Sequence, residues 1–154
     1  LNVIPFVIIF IRGITKYALS PAIDKMQLVS GIINSSCDNQ KVLGFPAIKG
    51  GEDLEKDISE WTNKENWKLF SDYHFGGYAK INIELIQFIN QFKKENNIQL
   101  DPVYTGKMMF GIFDLLEKGC FKKGSKILAI HTGGLQGISG MNKVLKQKKI
   151  PIID

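Results

Sequence analysis

Four consecutive apolar residues, Ile127 to Ile130, run directly into His131-Thr132-Gly133-Gly134. An apolar run of this length bounded by a glycine turn reads as a buried strand of a parallel sheet, covered on both faces. A titratable ring, a hydroxyl and two glycines then fall at the carboxyl end of that strand. Open α/β sheets hold their ligands at such ends, and glycine lets backbone approach what is bound. Whatever else the chain does, it must build a sheet around this strand.

The rest of the chain supports that class. Gln40 to Pro46 reads as a second buried strand, and Trp67 to Phe70 as a short third one. Phe6 to Ile11 reads as a further buried strand. Between them lie helical patterns. Asp53 to Asn63 places Leu54, Ile58 and Trp61 on one face. Glu84 to Asn96 does the same with Leu85, Phe88, Ile89 and Phe92, and Asn96-Asn97 ends it. A strong helix after Thr105 runs through Glu117, with Met108, Ile112, Leu115 and Leu116 apolar and Gly119 as its stop. Gly31 to Ser36 ends an earlier helix, and Ser139 to Gln147 forms the last one. Pro151-Ile152-Ile153 reads as a final short strand. Strands alternating with helices predict an α/β fold: an open, mostly parallel sheet with flanking helices. At 154 residues we expect a single domain.

Composition excludes several functions. The net charge is +5, yet all but one of the 20 basic residues are lysine, Arg12 being the exception, and they alternate with acids. Nucleic-acid sites cluster Arg and Lys with aromatic platforms, so no nucleic-acid partner is expected. Residues 1 to 11 are the most hydrophobic stretch, but they are too short for a membrane span and contain Pro5. They carry neither an initiator Met nor a basic leader, so a fragment or a processed product is expected rather than a secreted protein. Cys37 and Cys120 have no metal-like spacing and read as small buried hydrophobes in a reducing cytoplasm. No metal site is expected.

Three loops could carry chemistry: Tyr73 to Lys80, Tyr104 to Lys107, and His131 to Gly137. Thr105 could cap the helix after it and leave backbone amides free to meet an anion, or be that cap and nothing more. Tyr78 and Tyr104 could serve as phenolic acid–base groups, or simply be half-buried. His131 is either a catalyst or a satisfied core histidine. Lys107 and Lys80 read as solvated. GGLQG lacks the full dinucleotide fingerprint, leaving a nucleotide binder at Gly133 to Gly137 as the weakest reading.

Together the blocks Tyr73-His74-Phe75-Gly76-Gly77-Tyr78-Ala79-Lys80, Leu100-Asp101-Pro102-Val103-Tyr104-Thr105-Gly106-Lys107 and Ile130-His131-Thr132-Gly133-Gly134 carry a resemblance. The chain resembles the C-terminal part of the pyridoxal-phosphate-dependent family of 1-aminocyclopropane-1-carboxylate deaminase and D-cysteine desulfhydrase. The likeness covers residues 31 to 154 and reaches back faintly to Val3-Ile4-Pro5. It implies part of a fold-type-II enzyme, like the tryptophan synthase β subunit, that binds pyridoxal 5'-phosphate. It also implies a small amino-acid substrate, and a homodimer that is not expected of a shortened chain. By the same resemblance Tyr78 and Tyr104 would stand near substrate. Thr132 would lie beside the pyridine nitrogen, with Thr105, Gly133 and His131 as further cofactor contacts. Thr105 replaces a glutamate of the deaminases, which resembles the desulfhydrase branch.

The departures from that family lie upstream. Its Schiff-base lysine and Ser-Asn segment have no counterpart here. Asp24-Lys25-Met26-Gln27-Leu28-Val29 stands where the family has a Gly/Thr-rich phosphate loop, and Phe6-Val7-Ile8-Ile9-Phe10 where it has a Glu-Gly-Gly-Thr-Asn type run. We therefore expect one partial domain over 1–154, family-like over 31–154 and poorly specified over 1–30. A truncated, frame-disrupted gene product, inactive alone, is expected, or a non-catalytic binding remnant of the same fold.

Overall fold

Strand-forming residues come in short bursts with helices between them. In the computed structural model, which describes residues 5–9, 29–50, 53–131 and 133–154, the strands are β1 (Pro5–Ile9), β2 (Lys41–Gly44), β3 (Trp67–Leu69) and β4 (Lys126–Ala129). They form one sheet in the order β3-β2-β1-β4, and every pairing is parallel. Val7 is in register with Val42 on one side and with Leu128 on the other. The helices are α1 over 29–35, α2 (Asp53–Ser59), α3 (Ile83–Asn96), α4 (Thr105–Glu117) and α5 (Gly137–Gln147). The α/β class with a parallel sheet and flanking helices is as the sequence predicts. Phe10, Ile11, Gly51, Glu52 and the stretch 10–28 lie outside the described residues, as does much of the expectation about 1–30.

Side chains alternate across a strand, and β2 shows what this does. Val42 points into a cluster with Val29 and Ile33 of α1, Leu54 and Ile58 of α2, and Leu69 of β3. Leu43 points the other way, into a cluster with Tyr104, Met108, Ile112 and Leu115 on α4. Ile127 and Ala129 of β4 pack on that same α4 side. A third cluster joins α3, Leu145 of α5 and Ile153 behind α4. The sheet is thus sandwiched, with α4 as the helix between it and the α3–α5 layer.

Several expectations need correction. The Ile127–Ile130 strand is not buried on both faces: Leu128 is 57% exposed. Among the described residues β4 has only β1 beside it; Ile127 and Ala129 pack on the α4 side and Ile130, just past the strand, on the α1–α2 cluster, while Leu128 stays exposed. Trp61 is exposed rather than packed, because α2 ends at Ser59 and Trp61 lies in the turn beyond, its carbonyl accepting from Asn34. Leu116 is exposed too, one position off the buried stripe of α4. The Pro151–Ile153 tail makes no strand. Asn142 bonds both polar groups of Ile153, at 2.8 and 2.9 Å, and Asn90 donates to the Ile152 carbonyl. Side-chain amides there do what a neighbouring strand would do. Cys37 and Cys120 are exposed, not buried.

The helix ends follow the sequence more closely. Asn82 caps α3 by accepting from the Leu85 amide, and Asn97 closes it in the left-handed conformation. α4 ends at a pair of bonds around Gly119, from Cys120 N to Leu115 O and from Gly119 N to Leu116 O.

α4 sits close to the sheet because Gly111 has no side chain: a Cβ there would lie 2.6 Å from the Phe45 ring. Gly111→Ala is therefore expected to destabilise the fold by about 1–3 kcal/mol, since Phe45 is fully enclosed and cannot move aside. A lowered urea midpoint at unchanged slope would show it, and an unchanged midpoint would mean that α4 can shift away at no cost.

Candidate functional site

α4 is preceded by a turn over 102–104 that opens at Pro102. Asp101 is fully buried. Its Oδ1 accepts from the amides of Val103 at 2.9 Å and Tyr104 at 2.8 Å. Its Oδ2 accepts from the Thr105 amide at 2.8 Å and from the Thr105 hydroxyl at 2.6 Å. The Thr105 hydroxyl in turn accepts from the Asp101 amide. That carboxylate takes the first amide of the helix and the two before it, and the Asp101 carbonyl accepts from the Gly106 amide at 2.8 Å. Of the two readings of Thr105, the one that left amides free for an anion does not hold for these three, which are bonded to Asp101. Thr105 is also wholly enclosed, its hydroxyl and amide both spent on Asp101. Asp101 is the residue that loop-by-loop reading passes over. Its signal was present in the spacing, an Asp followed by Pro and, four positions on, by a hydroxyl that its side chain can bond.

Tyr104 and Tyr78 come together in the fold. Their phenol oxygens are 3.3 Å apart and their rings 6.1 Å centre to centre. Tyr104 is buried and Tyr78 is 49% exposed, so the pair spans interior and surface. Tyr78 belongs to a loop with unusual backbone: Phe75, Gly76, Gly77 and Ala79 all have positive φ. Lys107, expected to be solvated, is instead buried. Its Nζ donates to the His74 carbonyl at 2.8 Å and the Gly77 carbonyl at 2.9 Å. Burial lowers its pKa to about 8, against the opposing pull of the Asp101 charge. Lys80 is exposed, as expected.

After β4 the chain turns through His131, which is exposed. With Nε2 protonated, its ring donates to the Gln99 carbonyl at 3.1 Å while Nδ1 accepts from the Gly133 amide. It is neither buried in the core nor unpartnered. Thr132, the residue tied to the pyridine nitrogen by the resemblance, lies outside the described residues. Gly134, with φ of 102°, leans on Asp101: a Cβ there would sit 3.0 Å from the Asp101 carboxyl carbon. Segment 99–101 thus holds the His131–Gly134 turn from below, and α4's first turn holds the Tyr78 loop. The three loops singled out in the sequence converge on the amino end of α4. No group of three or more His, Cys, Asp or Glu able to hold a metal occurs among the described residues, and no helix among them is long and apolar enough to cross a membrane.

No protein-family model matches the chain. It is 44% identical over 97 residues to a protein of Pyrococcus furiosus named "Putative 1-aminocyclopropane-1-carboxylate deaminase", covering 61% of this chain and 29% of that one. It is 38% identical over 72 residues to a 1-aminocyclopropane-1-carboxylate deaminase of Bradyrhizobium sp. (strain ORS 278), covering 47% of this chain and 21% of the relative. A crystal structure of an ACC deaminase homologue matches with a TM-score of 0.70 and 27% identity, over 93% of this chain and 44% of that one. The chain therefore resembles part of the pyridoxal-phosphate-dependent 1-aminocyclopropane-1-carboxylate deaminase family in sequence and fold. It spans less than half the length of the relatives it matches.

Two outcomes follow from the geometry. Asp101→Ala strands three amides and a hydroxyl, and should lower stability by about 2–4 kcal/mol in urea unfolding. A change below about 0.5 kcal/mol would mean that water replaces the carboxylate freely. Lys107 has a folded pKa below its unfolded value, so the unfolded chain binds its proton more readily. Stability should consequently rise with pH between about 8 and 10, a slope absent from Lys107→Met; equal slopes in the two proteins would contradict this.

Proposed function

We propose that this chain is part of a pyridoxal-phosphate-dependent lyase or deaminase acting on a small amino acid, and that alone it binds cofactor weakly and does not turn over. One observation carries the reading. Three separated loops, each resembling a site segment of the 1-aminocyclopropane-1-carboxylate deaminases, meet at the amino end of α4 and pair two phenols there. In the whole protein the reaction would be α,β-elimination or ring-opening deamination, releasing ammonia and a 2-oxo acid. Thr105, standing where the deaminases carry a glutamate, favours the D-cysteine desulfhydrase branch.

Pyridoxal phosphate, when bound, supplies the electron sink for charge at the amino acid's α-carbon. The described residues fit one wall of such a site. The turn at Gly133, where nothing lies within 4 Å of a would-be Cβ, leaves room for close approach. In this reading Tyr78 and Tyr104 would offer their hydroxyls to a polar substrate, and a phenol there can bind a carboxylate or hold a proton. They do not fit the covalent and phosphate ends. Lys107's amine is enclosed by two carbonyls, and the amides at α4's start are taken by Asp101. Our reading assigns contact with the cofactor to Thr132, Gly133 and His131, and contact with substrate to the two tyrosines.

A second reading, a non-catalytic binding module on the same scaffold, is favoured by Leu128, exposed on β4. Gel filtration separates the two, because stable association with another chain would favour the module. For the first reading, pyridoxal phosphate is added to the purified chain and the visible spectrum recorded. Little or no protein-dependent band is expected. A band that borohydride removes would overturn the claim of inactivity.

A further inference from the structure

We propose that Lys107 is a positioning residue, whose ammonium grips the His74 and Gly77 carbonyls and thereby holds Tyr78 against Tyr104. The proposal rests on reading those two tyrosines as the groups that face substrate.

The loop that carries Tyr78 cannot hold its own shape by local preference. Phe75 and Ala79 are non-glycine residues at φ of 53° and 54°, flanking Gly76 and Gly77 at 94° and 120°. Side chains rarely adopt this backbone, so something outside the loop must select it. Within the loop, Gly77 N donates to His74 O and Lys80 N donates to Gly77 O. Those two carbonyls are the ones that Lys107 also takes, at 2.8 and 2.9 Å. A carbonyl has two lone pairs, and at both oxygens one goes to the turn and the other to the ammonium.

A buried cation is costly unless it is paired. Among the described residues neither ion pair of the structure involves Lys107. Its charge is spent on backbone oxygens, and charge-assisted bonds are stronger than neutral ones. Lys107 lies one turn along α4 from Tyr104, so the helix that carries one phenol also anchors the loop that carries the other. Tyr78 sits directly after Gly77, the second gripped position. The result is a clamp between α4 and the Tyr78 loop that needs no contact with a ligand.

Hydrogen exchange tests it. In Lys107→Met the Gly77 and Lys80 amides should exchange about tenfold faster or more, while the Ile89 and Ile112 amides keep their rates. In Lys107→Ala, added ethylamine should restore the slow exchange, an effect that a merely space-filling side chain would not permit. Unchanged rates at Gly77 and Lys80, or an acceleration that equally includes Ile89, would overturn the proposal. Should neither variant fold, the unaltered chain decides by NMR. A slowly exchanging Lys107 ammonium, with contacts to the loop, is expected, and one exchanging like the surface lysines would refute the clamp. These measurements read the loop and not the cofactor, so they stand apart from the spectral test of function.

Discussion

The Asp101 carboxylate is the interaction on which the site depends. It sits buried and accepts four hydrogen bonds, three from backbone and one from Thr105. Those bonds set where α4 begins, and α4 carries both Tyr104 and Lys107. The same carboxyl group forms the floor against which Gly134 packs, so it also locates the turn after β4. An unpaired carboxylate in this interior would be costly to bury. Because it is fully used, burial makes each bond count for more.

Packing extends that local order to the rest of the chain. Gly106 and Gly111 bring α4 against Ile89 on one side and Phe45 on the other, at distances where a Cβ would clash at 2.7 and 2.6 Å. Between α3 and α4 a ladder of rings, Phe75, Phe88, Phe110 and Phe113, meets mostly edge to face at 5.0 to 5.6 Å. This geometry suits aromatic quadrupoles. Phe75 belongs to the loop of Tyr78, so the ladder and the Lys107 clamp act on the same segment. On the far side, Tyr73 donates to Asp114 at 2.5 Å, and Lys118 bonds that same carboxylate. Burial, and after it the bond to Asp114, raise the Tyr73 phenol well above its ordinary range.

The core was legible in the sequence wherever apolar spacing was regular. Leu85, Ile89 and Phe92, like Met108, Ile112 and Leu115, are buried where the period places them. The misreadings fall where a residue's neighbours come from distant sequence. Lys107 looks solvated along its own helix, and only the fold brings the His74 and Gly77 carbonyls over it. Leu128 looks like core in a run of four apolar residues, yet among the described residues its strand is a sheet edge and its side chain is exposed. Ile152 and Ile153 look like strand, but Asn90 and Asn142 satisfy their backbone first.

The order of the elements, the alternation of strand and helix and the three glycine-rich loops were therefore determined by the sequence alone, because they depend on local period and turn chemistry. The loops' resemblance to a known family could also be read there, residue by residue. Tertiary structure decided what those loops do to one another. Whether a lysine is wet or buried, and whether two tyrosines separated by 26 positions touch, depend on distances in space. Hydrogen bonds and desolvation act over a few ångströms, and no pattern along the chain encodes which distant atoms will fall within that range.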